Sequence, residues 1–304
     1  MSLPELRHET HTAHWGWQEH RYFGHRVFEE LTGRETLTGL TVLSVLGRRL
    51  SGDGCSVVDD AACTLTLADP RIWPLKLTRL IAAYGSTLPA AAAGLLSEQD
   101  ARIGPWTTAK GAELLLAFDA AIGGRVDEPE FVRGLVKAYL DEHRFVWGFG
   151  TPFRGQDERL VAFRDCIQKR ARHSLRFWRL MDAVSAVVRE ERGTEPNMGI
   201  AVAAAFLDLD LTPHQVGSLT SALMQHMFLA HAVEASAEGA SLRELPTAYV
   251  DYVGHAPRVS ERARDLGALG SAPLEPAPHA RPHFWMGDAV VGSPPGSPEN
   301  TSAE

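Results

Sequence analysis

The residues best suited to chemistry in this 304-residue chain lie in one stretch, Trp147–Arg159, which reads WGFGTPFRGQDER. Gly148, Gly150 and Gly155 allow positive φ and let a ligand come close to the backbone. Pro152 stiffens the turn. Arg154, Asp157 and Arg159 add charge of both signs where the chain is least helical. Arg154 is a candidate phosphate contact, and Asp157 a candidate acid–base group. Just upstream, His143 and Arg144 extend the set, His143 reading equally as an exposed histidine at a helix end. A glycine-rich loop with fixed charges, held between helices, is a place for a site. The plainer reading is a helix–helix connection with solvated charges.

A second group is the N-terminal arm. His8, His11 and His14 are three apart, with His20 and His25 following. On a helix that spacing would stack imidazoles on one face, as a divalent metal requires. No carboxylate or thiolate set completes such a site, so no metal is expected. Trp15, Trp17, Tyr22 and Phe23 imply that the arm packs on something, a partner subunit being one choice.

Composition bounds the rest. Apolar residues make up 44% and charged residues 22%, ordinary for a globular chain. A formal charge of −8 argues against general nucleic-acid binding, including through the Arg-rich segment around Arg172, Arg176 and Arg179, which reads as solvated or inter-subunit pairs. Cys55, Cys63 and Cys166 include no CxxC pair, so neither a disulfide framework nor a thiolate zinc site is indicated. No apolar run approaches the roughly 20 residues that span a bilayer, and the N-terminus lacks a signal-peptide pattern. A cytoplasmic setting without membrane association is the expectation.

The elements that must position these residues read as helices almost throughout. Leu37, Leu40, Val42, Leu43, Val45 and Leu46 line one helix, with Arg48 and Arg49 in its last turn. Helical patterns follow over CSVVDDAACTLTLAD, LKLTRLIAAYG and TLPAAAAGLL. SEQDARIGPWTTAKG reads as a loop. AELLLAFDAAIGG and EPEFVRGLVKAYLDEHRF are helical, and Glu158–Gly193 reads as one long helical run. NMGIAVAAAFLDLD and the segment after Thr212–Pro213, an N-cap with proline at the first helical position, complete the set. The fold class is therefore all-α. Residues 1–25 form the arm, 26–268 the helical domain, and 269–304 a Pro/Gly/Ser-rich disordered tail in which His283, Phe284 and Trp285 could dock.

Taken in order, six landmarks between Gly24 and Gly254 resemble the citrate synthase superfamily, especially its short citryl-CoA lyase-type members. GHRVFEELTGRETLTGLTVLSVLGRRL resembles the opening Gly-Tyr…Glu-Leu stretch and its helix ending Gly-Arg. LTLADPRIWPLKLTRLIAAYGS sits where the family has Leu-x-Ala-Asp-His. LPAAAAGLLSEQDARIGPWTTAKGAELL is similar to the alanine-rich helix and Gly-Pro-Leu-His-Gly-Gly-Ala loop. GFGTPFRGQDER resembles Gly-Phe-Gly-His-Pro followed by Asp-Pro-Arg. PNMGIAVAAAFLDLD and the helix through Leu229-Ala230-His231 resemble Pro-Asn-Val-Asp-Phe and Trp-Leu-Ala-His. Tyr252–Gly254 falls at the closing Tyr-Val-Gly.

The resemblance implies a large and a small subdomain, the small one over roughly 150–235. It also implies a homodimer with a shared site and a carbon–carbon bond made or cut between an acyl-CoA and a 2-oxo acid. In the family an aspartate removes the α-proton, one histidine stabilises the enolate, and another polarises the ketone. Those positions here read Asp69-Pro70, Thr107 with Thr108 beside it, Thr151 and Gly199. The expected arginines are Met224 and, near the end, Thr247, Ala248 and Tyr249. Losing a general base costs about 10²–10⁴-fold and an oxyanion donor about 10²–10³-fold, so ordinary citrate synthesis is not expected.

Two functions remain open. One is an acyl-CoA or acyl-carrier dependent enzyme with Thr107, Thr151 and Asp157 at the reacting end and Arg154, Arg159 and Asn197 on the substrate. His143, Arg144, Val146, Gly148, Phe149 and Gly150 would then hold CoA, with Lys169 or Arg170 as further phosphate contacts, and no tightly bound cofactor. The other is a non-catalytic relative that binds acyl-CoA or a protein.

Overall fold

A computed structural model describes residues 9–17, 19–66, 69–98, 103–151, 155–240 and 253–254. Among these residues the helices are α1 (Leu37–Leu46), α2 (Gly52–Leu65), α3 (Trp73–Ala82), α4 (Thr87–Glu98), α5 (Pro105–Ile122), α6 (Pro129–Glu142), α7 (Glu158–Lys169), α8 (Arg176–Arg192), α9 (Met198–Leu207) and α10 (Pro213–Glu238). A π-helical turn, Val27–Leu31, precedes α1. Among the described residues the fold is all-α apart from one small sheet.

The centre is α9. Every residue of it except Gly199 is buried, because an Ile-Ala-Val-Ala-Ala-Ala-Phe-Leu sequence offers no polar face. α2, α5, α7, α8 and α10 pack around it. Its alanines, with Gly111 on α5, allow close approach: a Cβ built at Gly111 would lie 3.2 Å from Ile200 Cδ1. α3 and α4 lie against α10 to one side. The segment expected as a small subdomain supplies α7 to α10, which pack on α2 and α5. Thr247, Ala248, Tyr249 and the tail with His283–Trp285 lie outside the described residues.

Several boundaries differ from the sequence expectation. The arm is a three-stranded antiparallel sheet, β1 (Ala13–His14), β2 (Arg21–Tyr22) and β3 (His25–Arg26), not a helix. His14 pairs with Arg21 across strands, so no helical stack of imidazoles forms; His8 is outside the described residues. Tyr22 donates to Ser44 Oγ at 2.8 Å and Phe23 packs near Gly47, so this part of the arm is seated on α1 of its own chain. Trp15 and Trp17 remain 84% and 93% exposed.

Gly47, in the left-handed region at φ +67°, closes α1, which puts Arg48 and Arg49 beyond it. Arg48 instead donates to the Leu209 carbonyl at 2.8 Å. The run Glu158–Gly193 is two helices, broken where Ala171 takes φ +54°. Arg170 and Arg172 flank the break and pair with Asp60 and Asp53 of α2. The Asp208 carboxylate accepts the Phe177 and Trp178 N–H groups at the head of α8, at 2.8 and 3.0 Å. Arg172, Arg176 and Arg179 are thus paired within the chain, to Asp53, Asp119 and Asp127. Thr212 caps α10 in a box with Gln215, behind Pro213. No described helix is long and apolar enough to cross a membrane.

Candidate functional site

The glycine turn is locked to the approach of α9. Gly148 and Gly150 both take φ +83°. Gly150 N donates to the Glu195 carbonyl at 2.8 Å, and Asn197 N donates to the Gly148 carbonyl at 2.9 Å. Between them Phe149 bridges Pro196. Asn197 adds Nδ2 to the Gly150 carbonyl at 2.8 Å, while its Oδ1 accepts Gly199 N at 2.9 Å and caps α9. Val146, Gly148 and Phe149 are buried, and Gly150 is half-buried at the edge of the turn.

Asp157 sits at the same place from the other side. It caps α7, accepts Arg159 Nε and Nη2 at 2.9 and 2.8 Å, and accepts Met198 N at 2.9 Å. Burial pushes its carboxyl up, but the Arg159 hydrogen bonds and charge, with the Met198 and Arg159 N–H groups, outweigh that and hold it below the usual carboxylate range. A buried, fully engaged anion of this kind is a clasp joining α7 to α9. It is a weak proton acceptor near neutrality.

Thr107 and Thr108 are not in a loop. Gly104, at φ +68°, precedes Pro105 in the first helical position, and both threonines lie in the first turn of α5. Thr107 Oγ1 donates to the Gly104 carbonyl at 2.7 Å, and buried Thr108 donates to the Pro105 carbonyl at 2.7 Å. Gly199 looks across at them: a Cβ built there would lie 3.0 Å from Asn197 Oδ1 and 3.7 Å from both Thr107 Oγ1 and Thr108 Cγ2. Next to this junction Trp106 meets Trp147 edge-to-face at 4.7 Å, and Trp147 meets Phe145 in the same way. The fold therefore gathers Thr107, Asn197 and Gly199 beside the glycine turn.

The fold has parallels among solved structures. Citryl-CoA lyase from Hydrogenobacter thermophilus superposes with a TM-score of 0.69 at 17% identity, covering 84% of this chain and 98% of that one. ATP citrate lyase from Methanothrix soehngenii, solved with citrate and coenzyme A, gives 0.64 at 15% identity over 84% of this chain but only 43% of its own. Citrate synthase from Thermotoga maritima gives 0.54 at 18% identity, over 72% of this chain and 57% of that one. This chain has the citrate synthase fold. No protein-family model matches the sequence, and no curated protein matches it by sequence. The likeness is one of architecture, and the chemistry must be argued from the residues themselves.

On this citrate synthase-like scaffold the remaining expected site residues scatter. Thr151 is half-buried and lines an open cavity of about 530 Å³ with Gln156, Arg189, Thr194 and Glu195. Thr107 does not line that cavity. Arg189 and Glu195 face each other there at 2.7 Å, so the charges in the cavity wall neutralise one another. His143 is exposed at the end of α6, stacked on Tyr139 at 4.1 Å with Nδ1 3.0 Å from the Tyr139 carbonyl. Arg144 is exposed, and its carbonyl accepts from Arg192 at 2.8 Å. Arg170, at the far end of α7 from Asp157, is held by Asp60, which argues against a phosphate contact beside the turn. Met224, where the resemblance expects an arginine, is buried in α10. Arg154 lies outside the described residues.

The structure adds one group that sequence reasoning missed. Glu98, the last residue of α4, is 4% exposed. Nothing in the pattern SEQD marks it as interior, since the carboxyl is buried against Gly104, beyond the end of its own helix.

Proposed function

We propose that this protein binds an acyl-CoA or acyl-carrier thioester and makes or breaks a carbon–carbon bond beside the thioester carbonyl, with an acceptor site unlike that of citrate synthesis. The observation that carries this reading is the meeting of the α5 head with Gly199 and Asn197 at the Gly148–Gly150 turn. The turn's backbone is held in place by Glu195 and Asn197, and Gly150, which is half-buried and lines the open cavity, is the part a ligand can approach. Thr107 supplies a hydroxyl that can be redirected to an oxyanion. Trp106, Trp147 and Phe145 form an apolar wall suited to an uncharged acyl or acceptor group. Arg159, bound up with Asp157, is less available for a substrate carboxylate than the resemblance implies.

A second reading has its own support. Asp157 and Asn197 are used as caps and Gly199 has no side chain, which suits a protein that binds an acyl-CoA without turning it over. Calorimetry with acetyl-CoA, followed by NMR of its methyl protons in D2O, separates the two. Micromolar binding with exchange supports the enzyme; binding without exchange supports the second reading; absence of binding sinks both.

We also propose a homodimer in the cytoplasm. α3, α4 and α10 pack together, and around them Leu80, Tyr84, Leu88, Leu96, Leu229 and Val233 are exposed. A patch of this kind on adjoining helices suits a self-complementary interface. Leu88 and Leu96 are 71% and 75% exposed, so replacing both with aspartate should leave each chain folded. Sedimentation should show Leu88→Asp/Leu96→Asp as a monomer and the parent as a dimer. Equal masses would remove this face from the interface.

A further inference from the structure

Glu98 has no structural reason to be a glutamate. Its side chain is buried at the end of α4, and its Oε2 has no hydrogen-bond partner among the described residues. The carboxyl lies against Gly104: a Cβ built there would be 2.5 Å from Oε1 and 2.7 Å from Cδ, so only glycine leaves room for it. An apolar side chain would fill the same space without stranding an oxygen. No ion pair reaches Glu98 among the described residues. Burial alone pushes the carboxyl up to about 7.

Its position is what makes that informative. The Gly104 carbonyl accepts from Thr107 Oγ1 at 2.7 Å and from Thr108 N at 3.2 Å, so the carboxyl adjoins the residue that anchors Thr107. It stands at the N-terminus of an 18-residue helix, whose positive end favours an anion when the proton leaves. Thr107, anchored on that carbonyl, faces Gly199, and neither brings an ionisable side chain.

We propose that Glu98 is the acid–base group of this site, an inference that rests on the acyl-CoA reading above. In the proposed step its carboxylate takes a proton from the carbon next to the thioester carbonyl. The C–H bond breaks, its electron pair passes into the enolate, and an O–H bond forms on Glu98. Return of a solvent-exchanged proton reverses the step and labels the carbon.

The test is exchange of acetyl-CoA methyl protons in D2O across pH 5–9, with acetyl-CoA affinity measured on the same samples. The parent should exchange with a rate rising around a midpoint near 7, set by the Glu98 carboxyl. Glu98→Gln should lower exchange by about 10²–10⁴-fold with affinity unchanged, and Glu98→Asp should restore part of it. The parent's own pH profile keeps the test intact should the variants fold poorly. A flat profile, parental exchange in Glu98→Gln, or binding without any exchange each overturn the role of Glu98 while leaving acyl-CoA binding standing. A parent that binds no acetyl-CoA removes the reading beneath it and the inference together.

Discussion

Asp157→Ala should lower stability by about 3–5 kcal/mol, the scale of breaking a buried charge pair. One carboxylate, almost fully buried, serves three partners: the α7 cap, the Arg159 guanidinium and the Met198 N–H at the head of α9. Truncation strands a buried N–H and leaves Arg159 half-buried without its counter-ion, so the loss exceeds that of a simple helix cap, about 1 kcal/mol. Asp157→Asn keeps one acceptor but points an amide at the guanidinium, and should fall between. The pH dependence has a definite sign. The folded carboxyl is held below its ordinary value of 3.8, so its contribution is fully present above the unfolded pKa and is lost as pH falls through the folded one. Urea titrations at pH 7 and at pH 3 should therefore show the gap between parent and Asp157→Ala shrinking in acid. A gap at pH 7 below about 1 kcal/mol would show that the clasp contributes no more than an exposed pair.

That clasp also shows what could be read from the chain alone. The glycines, Pro152 and mixed charges of WGFGTPFRGQDER mark a turn, and the structure holds Gly148 and Gly150 in left-handed backbone, as the composition implies. The charge within it was harder to assign. An aspartate one residue before an apolar-periodic run is an N-cap signal, and for Asp157 that signal describes the structure better than acid–base chemistry does. Gly104-Pro105 carries a similar message: left-handed glycine then proline at the first helical position begins α5, so WTTAKG is helical although its composition reads as loop. The break at Ala171 has no local signal, because alanine seldom takes positive φ and does so here between Arg170 and Arg172, both tied to α2. Glu98 is the extreme case. Its carboxyl is buried against Gly104 at the head of α5, and no periodicity distinguishes it from a solvated helix-end glutamate.

Gly148→Ala should be as damaging as the loss of Asp157, and for a steric reason that a companion variant isolates. Gly148 and Gly150 share the same φ of +83°, so alanine at either costs about 1–2 kcal/mol in backbone strain. At Gly150 the nearest heavy atom to a new Cβ is Thr194 Cγ2 at 3.7 Å, an ordinary contact. At Gly148 the new Cβ would lie 2.5 Å from Ile200 Cβ and 3.2 Å from its Cα. Those atoms belong to α9, buried along its length, and cannot move without shifting the central helix. Overpacking adds about 1–3 kcal/mol, so Gly148→Ala should lose about 2–5 kcal/mol and Gly150→Ala only the strain. Chemical denaturation of the two side by side checks the difference; equal losses would mean the turn can move away from α9. The milder variant then reports on function. If a thioester lies along this backbone, Gly150→Ala should weaken acetyl-CoA binding at temperatures where the protein remains folded. A Gly150→Ala protein that binds as the parent does would move the ligand away from the turn and toward the aromatic wall of Trp106 and Trp147.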